Sequence, residues 1–295
     1  MLPAESPDNA DGILADRPVP DLNGPGYLPD RIWPRDQKQR IGPRAVTGPA
    51  APMEVKMNND KKIPAAALPE YFAGVGRVTA RFLQRTAGLW DAYLDHPFVQ
   101  GIADGTLDQE KFRFYMIQDY LYLVDYARVF ALGVAKAKDM ESMRLFAAYV
   151  KQIMDGEMDI HRGYMARLGI RLEDAEQAKA ALDNRSYTAY MLQVGYEEGA
   201  PEIAVSILSC ALSYEHIARR ILEVHPGADR HPFYGEWVEG YACPEYHEAN
   251  QELIRLTERL CAGMNETQLA RLEDIFETCS RYEMSFWDMA WEMRD

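Results

Sequence analysis

The chain has 295 residues, of which 47% are hydrophobic, so it can form one large domain or two small ones around a sizeable core. Its formal net charge of −14 argues against nucleic acid and against anionic membrane surfaces as partners. The four cysteines, Cys210, Cys243, Cys261 and Cys279, include no CxxC pair and no metal-type spacing, which favours a reduced, intracellular protein. The sequence has no apolar run of the roughly 20 residues that a membrane span needs. Its first residues lack the basic start and apolar block of a signal peptide, so we expect a cytoplasmic protein.

Residues 1–65 differ in composition from the rest of the chain. Ten of the 17 prolines fall in residues 1–52, and proline at this density interrupts both helices and sheet ladders. The apolar content of this segment is too low to offset the entropy lost on ordering it. The sequence therefore predicts a disordered N-terminal extension over residues 1–65 and a folded domain over residues 66–295.

From Pro69 onward the spacing of apolar residues is helical almost throughout. Three- and four-residue steps predict a first helix that ends near Leu94. Thr106 and Gln109 have the spacing of a capping box, which predicts that a long second helix begins at Thr106. This second helix is apolar on most sides, so we expect it to be central.

The remaining pattern predicts seven more helices and no strands. A third helix is predicted from about Met140 to Leu168, with Gly169 as its C-terminal stop. The others are predicted over RLEDAEQAKAAL, SYTAYMLQVGYEEG, residues 200–224, HPFYGEWVEGYA, and residues 244–263 and 266–293. The sequence contains no alternating strand pattern and no NG or DG hairpin turn between apolar runs. It therefore predicts one all-α bundle of roughly nine helices.

Cys210 is the cysteine whose surroundings most suggest chemistry. It shares one face of its predicted helix with Tyr214, at an i,i+4 spacing. A free cysteine in such a setting is either a small core residue or a nucleophile, and the local pattern leaves both interpretations open.

Two acidic residues lie in unusually apolar surroundings. Asp119 is in the middle of the second helix, with Tyr122 on the same face, and a buried carboxylate must be paired or hydrogen-bonded. It either bridges to another helix through a tyrosine hydroxyl or belongs to a functional site. Glu283 lies among aromatic residues and methionine, which suits a general acid working near neutral pH. The alternative for Glu283 is the polar stripe of a surface helix.

Tyrosines and one acid–histidine motif complete the candidates. Tyr187 and Tyr241 either line a pocket for a flat ligand or fill the core. In GEMDIH, Glu157 and His161 stand at i,i+4 with Asp159 between them, and they could bind a metal if another helix supplied a matching pair. The sequence has no duplicated Glu-x-x-His, so we favour a site without a metal.

Together these segments resemble the TenA / thiaminase II family. The stretch DHPFVQGIADGTLDQEKFRFYMIQDYLYL is similar to a signature of that family. It is followed in the family's order by GEMDIH, SYTAYM, the Cys-x-x-x-Tyr helix, Trp237–Tyr241 and YE-x-x-FW at Tyr282–Trp287. The resemblance covers about residues 70–293. It implies an all-α fold similar to haem oxygenase, without haem, and assembly as a homotetramer.

The resemblance also implies roles for individual residues. Cys210 matches the nucleophile, Glu283 matches the acid that moves protons on and off the substrate, and Tyr122 matches the group that activates the cysteine. Asp119 matches the carboxylate that pairs with an aminopyrimidine. The pocket tyrosines are matched by Tyr187, Tyr214 and Tyr241.

The function implied is hydrolysis of thiamin, or of thiamin-derived aminopyrimidines such as 4-amino-5-aminomethyl-2-methylpyrimidine, through a covalent adduct on Cys210. No metal or organic cofactor is implied. Leu212 and Ser209 depart from the tryptophan and proline that the family often has, which bears on substrate preference. Two alternatives remain: a metal-dependent or cofactorless oxidase with the haem-oxygenase fold, and a non-catalytic pyrimidine-binding protein.

Overall fold

The computed structural model describes residues 70–72 and 74–295. The predicted N-terminal extension lies outside these residues and stays a prediction. Every regular element in the described part of the chain is helical. Among the same residues, no helix is both long and apolar enough to cross a membrane.

Eleven α-helices follow one another along the described chain, and we number them in order. They are α1 (Arg77–Asp95), α2 (Pro97–Asp104), α3 (Gln109–Lys136), α4 (Met140–Gln152), α5 (Met158–Arg167), α6 (Leu172–Gln177), α7 (Leu182–Glu197), α8 (Ala200–Val224), α9 (Gly235–Ala242), α10 (Pro244–Leu260) and α11 (Glu266–Glu292). A π-helical segment, Ile153–Glu157, joins α4 to α5. Short 3-10 turns, Glu70–Phe72 and Ala228–Arg230, precede α1 and α9.

One of the two helices beyond the predicted nine arises at Pro97. Proline disfavours the helical conformation at the residue before it, and His96 accordingly has an extended backbone with φ −67° and ψ 132°. Its ring then caps the next helix, because the Phe98 N–H donates to Nδ1 of His96. The chain therefore ends α1 and begins the short α2 within two residues.

The predicted start of the second helix at Thr106 is wrong. The helix begins at Gln109, and its N-cap is Asp108, whose carboxylate accepts a 2.7 Å hydrogen bond from the Glu110 N–H. The Thr106 hydroxyl donates instead to Oδ1 of Asp104, in the turn after α2. The aspartate two residues after Thr106 therefore forms the cap.

The predicted third helix, from about Met140 to Leu168, is broken by the π segment Ile153–Glu157. A π turn closes i→i+5 hydrogen bonds and so holds one more residue than an α turn. One residue corresponds to about 100° around a helix, so the break changes the direction of every side chain that follows. The predicted stop at Gly169 is confirmed, because Gly169 takes the left-handed conformation with φ 68°.

The helix α8 lies at the centre of the bundle and packs against α3, α7, α9, α10 and α11. Ile207, Leu212 and Ile217 are each 0% exposed, and full burial of such a side chain contributes about 1.5–3 kcal/mol. This burial fixes α8, and with it Cys210, between α3 and α11.

Candidate active site

Cys210, near the middle of α8, is partly exposed, although its neighbour Ser209 is fully buried. The hydroxyl of Tyr122, on α3, lies beside the Cys210 sulfur and lowers the pKa of its thiol by hydrogen bonding; it also donates a 3.9 Å hydrogen bond to the sulfur of Met191. The Cys210 thiol in turn hydrogen-bonds to the carboxyl of Glu283, on α11. Three helices thus bring together the three residues predicted to be catalytic, and we call them, with Tyr187, the thiol cluster.

Glu283 is 2% exposed, so its alternative position on a polar surface stripe is wrong. The Tyr187 hydroxyl donates a 2.7 Å hydrogen bond to its Oε1. Burial raises the pKa of Glu283 to about 7, although the hydrogen bonds from Tyr187 and Cys210 oppose this rise. The carboxyl therefore exchanges a proton in the neutral pH range, as the sequence predicts.

The Cys210 thiol is protonated at rest. Burial and the negative charge of Glu283 raise its pKa well above the ordinary value, and the hydrogen bond from Tyr122 opposes them without prevailing. Burial also raises the pKa of Tyr122 well above 10.0, so this hydroxyl keeps its proton and acts as a donor. A nucleophilic role for Cys210 then requires that its proton leave as the sulfur attacks.

Asp119 lies three residues before Tyr122 on α3 and is 4% exposed. Its partner is a histidine and not the tyrosine hydroxyl weighed from the sequence: Oδ2 of Asp119 lies 2.5 Å from Nε2 of His161, on α5. Local sequence gives no sign of this pairing, because the two residues belong to different helices.

The protons on His161 follow from its two partners. Nδ1 of its ring lies 3.0 Å from the backbone carbonyl oxygen of Glu157, and a carbonyl only accepts, so Nδ1 carries hydrogen. Burial disfavours the charged ring, but the hydrogen bond and charge of Asp119, with the charge of Glu157, outweigh it and raise the pKa of His161. Asp119 and His161 therefore form a buried ion pair.

Glu157 is the last residue of the π segment and was weighed from the sequence only as a metal ligand. The Tyr241 hydroxyl hydrogen-bonds to its carboxyl. Burial raises the pKa of Glu157 to about 7 and the charge of Asp119 adds to this, whereas the charge of His161 opposes it. The i,i+4 spacing of Glu157 and His161 was the signal in the sequence, and both residues line the same pocket.

Glu157, His161 and Tyr241 line a small pocket at the surface of the bundle, together with Trp237 and others. We call Glu157, His161, Tyr241 and the buried Asp119 the pocket cluster. Two acids, Glu157 and Glu236, line this pocket, and Asp119 offsets the charge of His161, so the pocket favours cationic or hydrogen-bond-donating ligands. Cys210 is not among the residues that line this pocket, but Glu157 and Asp119 are close enough for their charges to raise its pKa.

Tyrosine rings extend between the two clusters. The ring centroids of Tyr122 and Tyr187 are 5.3 Å apart, and those of Tyr214 and Tyr241 are 4.8 Å apart. The Tyr214 hydroxyl lies 3.4 Å from that of Tyr115, also on α3. The predicted pocket tyrosines thus belong to one aromatic wall, with Tyr187 at the thiol cluster and Tyr241 at the pocket cluster.

The metal interpretation of GEMDIH lacks the second set of ligands that it required. No group of three or more histidine, cysteine, aspartate or glutamate residues in the described part of the chain has an arrangement that could hold a metal ion. Both ring nitrogens of His161 are already engaged, by Asp119 and by the Glu157 carbonyl.

The two departures from the family pattern lie in the core. Leu212 and Ser209 are both 0% exposed, and neither lines the pocket described above. The Ser209 hydroxyl lies 2.8 Å from that of Ser280, which ties α8 to α11 beside Cys210. The effect of these residues on substrate preference stays a prediction.

The chain is similar in sequence to known proteins of one family. A family model described as the TENA/THI-4/PQQC family matches residues 83–293. Two relatives named aminopyrimidine aminohydrolase are each 42% identical to this chain. The one from Halalkalibacterium halodurans matches over 215 residues, 73% of this chain and 96% of its own length. The one from Helicobacter pylori matches over 216 residues, 73% of this chain and 99% of its own length.

A solved structure extends the comparison to the fold. A domain of unknown function with a heme oxygenase-like fold, from Shewanella denitrificans, matches with a TM-score of 0.61 at 16% sequence identity. The match covers 73% of this chain and 92% of that one. At this identity the likeness bears on the fold alone, and it confirms the predicted all-α, haem-oxygenase-like architecture.

Proposed function

The chain belongs to the TENA/THI-4/PQQC family, and on that premise we propose that it is a hydrolase of thiamin salvage. Its substrates are thiamin-derived aminopyrimidines, with 4-amino-5-aminomethyl-2-methylpyrimidine preferred over thiamin, and its product is the hydroxymethylpyrimidine. One observation carries the proposal: the Cys210 thiol contacts both the Tyr122 hydroxyl and the Glu283 carboxyl.

Substrate binding uses Asp119 and the aromatic wall. A 4-aminopyrimidine is flat and presents N–H donors at its amino group. His161 holds Oδ2 of Asp119, and Oδ1 of the same carboxylate accepts from the amino group, which fixes the orientation of the ring. The rings of Tyr187, Tyr214 and Tyr241 contact its faces and edges.

Activation of the ring and of the thiol uses the same carboxyl, that of Glu283. In its protonated form it donates to a ring nitrogen and so makes a neighbouring ring carbon electrophilic. The resulting carboxylate then takes the proton of the Cys210 thiol, to which it is hydrogen-bonded. The sulfur electron pair forms a bond to the ring carbon, and Tyr122 stabilises the sulfur by its hydrogen bond.

Departure of the substituent and addition of water complete the reaction. The bond between the exocyclic methylene and the substituent breaks, and its electron pair leaves with ammonia or with the thiazole. Water then adds at the methylene and gives up one proton to the departed amine or to solvent. The carbon–sulfur bond breaks, the Glu283 carboxyl returns a proton to the thiolate and takes back the one on the ring nitrogen, and the hydroxymethylpyrimidine is released. No metal or organic cofactor takes part in the proposed steps.

The test is hydrolysis of thiamin and of the aminomethylpyrimidine by the wild type and by Cys210→Ser. We expect the wild type to turn over the second faster, and the serine variant to lose at least about 100-fold with both, since serine is a far weaker nucleophile here. Equal rates for the variant and the wild type would contradict the nucleophile assignment. Tight binding without product would favour a binding protein, and oxygen uptake would favour an oxidase.

Two finer statements belong to the same proposal. By family resemblance the protein assembles as a homotetramer, and it acts in the cytoplasm. Light scattering tests the first, since a particle mass near the 33.6 kDa of one chain would contradict it.

A further inference from the structure

Two acids line the pocket, Glu157 and Glu236, and the steps above give neither a role. Glu236 is paired with Arg167 at the surface, so Glu157 is the candidate for chemistry. It is partly exposed and lines the pocket, and its carboxyl accepts a hydrogen bond from Tyr241. The π segment that ends at Glu157 is unusual in itself, because such segments are rare in helices and frequent at functional sites. The position of Glu157 in the pocket lining therefore suggests a functional role for its carboxyl.

Glu157 and Glu283 have similar pKa values but different neighbours, which indicates different roles. Each carboxyl has a pKa raised by burial to about 7, so each can hold or release a proton near neutral pH. Glu283 is hydrogen-bonded within the thiol cluster, to Tyr187 and Cys210. Glu157 lies in the pocket cluster and interacts with the charges of Asp119 and His161. Each of the two clusters thus has one proton-exchanging acid.

The positions of the substituents on the pyrimidine ring indicate which of them lies near the pocket cluster. The amino group and the exocyclic methylene are on neighbouring ring carbons, whereas the opposite edge carries the ring atoms that the thiol cluster attacks and protonates. A ring whose amino group is held by Asp119 therefore directs its methylene substituent to the side of the acid beside Asp119. That acid is Glu157.

On the basis of the function proposed above, we infer that Glu157 is the acid–base partner of the amine that leaves. An aminomethyl nitrogen leaves readily as ammonia and not as the amide ion, so it must carry its extra proton when the carbon–nitrogen bond breaks. The amine and the Glu157 carboxyl share that proton, and the carboxylate stabilises the ammonium in an otherwise enclosed site.

The same carboxylate then serves the incoming water. The carbon–nitrogen electron pair leaves with ammonia, and the exocyclic carbon becomes electrophilic. As the oxygen of water bonds to this carbon, Glu157 takes one of its protons and later returns it to ammonia or to solvent. The sum is conversion of a protonated aminomethyl group and water to a hydroxymethyl group and ammonium, with Glu157 unchanged.

The inference predicts a dependence on the leaving group. The thiazole of thiamin departs as a neutral molecule and needs no proton, whereas ammonia does. Replacing Glu157 should therefore slow the release of ammonia much more than the release of the thiazole. Replacing Glu283 should slow both, because the ring and the thiol need it whatever the substituent.

The experiment measures leaving-group release in the first turnover, with the full chain in excess over substrate. We expect Glu157→Gln to release ammonia at least about 100-fold more slowly than the wild type, a typical loss for a general acid, and thiazole within about threefold of it. Asp155→Asn is the matched control, since Asp155 lies in the same π segment but is exposed and paired with Lys151. It should leave both rates unchanged.

Two further choices keep the test decisive. If Glu157→Gln does not fold, Glu157→Asp replaces it, because the shorter side chain withdraws the carboxyl and should slow ammonia release selectively. If thiamin is turned over too slowly, the trimethylammoniomethyl analogue, whose amine also leaves without a proton, takes its place. If the variant slows the release of both leaving groups equally, or slows neither, the inference about Glu157 is contradicted. The proposal that the protein is a hydrolase is not affected by either outcome. A wild type that releases no product from any of these substrates overturns both.

Discussion

Tyr187 on α7 donates a 2.7 Å hydrogen bond from its hydroxyl to Oε1 of Glu283 on α11. The two residues are nearly 100 positions apart, and the bond is buried. It holds the carboxyl beside Cys210 and favours its ionised form, since a hydrogen bond to a carboxylate lowers its pKa. The readiness of Glu283 to give up its proton therefore depends on a tyrosine from another helix.

Tyr187→Phe tests this dependence. The hydrogen bond from Tyr187 then no longer opposes burial, although that from Cys210 still does, so the pKa of Glu283 rises above the value of about 7 that it has in the intact site. Because the protonated form donates to the ring, activity falls as pH rises through this pKa. The falling limb of the profile of kcat/KM against pH should move to higher pH in the variant, and an unmoved limb would contradict the assignment of Glu283 as the acid.

His161→Gln tests the buried ion pair with Asp119. Removing one partner of such a pair typically destabilises a protein by about 3–5 kcal/mol, because the other charge is left buried and unpaired. The pKa of His161 is raised in the folded state, so its contribution is complete below its ordinary value of 6.5 and is lost as pH rises through the folded-state value. The gap in unfolding free energy between the wild type and the variant should narrow from pH 6 to pH 9.

The same variant has a second measurable effect and a control. Since His161 holds Asp119 in place, the KM for aminopyrimidine should rise more than kcat falls. The exposed ion pair of Lys151 and Asp155 provides the comparison, and Lys151→Met should change stability little. If the difference in unfolding free energy between the wild type and His161→Gln widens as pH rises, Asp119 and His161 are not ionised as described.

Glu283→Gln should make the protein more stable at alkaline pH while it abolishes activity. The folded-state pKa of Glu283 is raised from 4.5 to about 7, so the wild type loses stability as pH rises between these values, because its buried carboxyl must ionise. At 1.36 kcal/mol per pKa unit the loss is on the order of 3 kcal/mol. Urea unfolding at pH 5 and pH 8 measures it.

Glu277→Gln is the control for that measurement. Glu277 lies on the same helix, but it is partly exposed and pairs with Arg85 and Arg281. Hydrogen bonds from these arginines lower its pKa, so its replacement should not stabilise the protein at pH 8. Equal stability of wild type and Glu283→Gln at both pH values would contradict the raised pKa.

The sequence by itself determined the helical class of the described chain and much of its segmentation. Apolar spacing along a helix is a local property, and so is the demand of Gly169 for a left-handed conformation, so both could be predicted from neighbouring residues. Local surroundings also singled out Cys210, Asp119 with Tyr122, and Glu283, and the family resemblance added their expected roles. The fold brings Cys210, Tyr122 and Glu283 together.

Only the tertiary structure decided the electrostatic state of the site. The partner of Asp119 is His161, Glu157 lines the pocket, and burial raises the pKa values of Glu157 and Glu283. Each of these depends on which helices pack together and on how completely they exclude water. The residue pattern of one helix shows neither which helices pack together nor how well they exclude water. Charges interact through space, and the cost of ionisation depends on the whole surrounding protein.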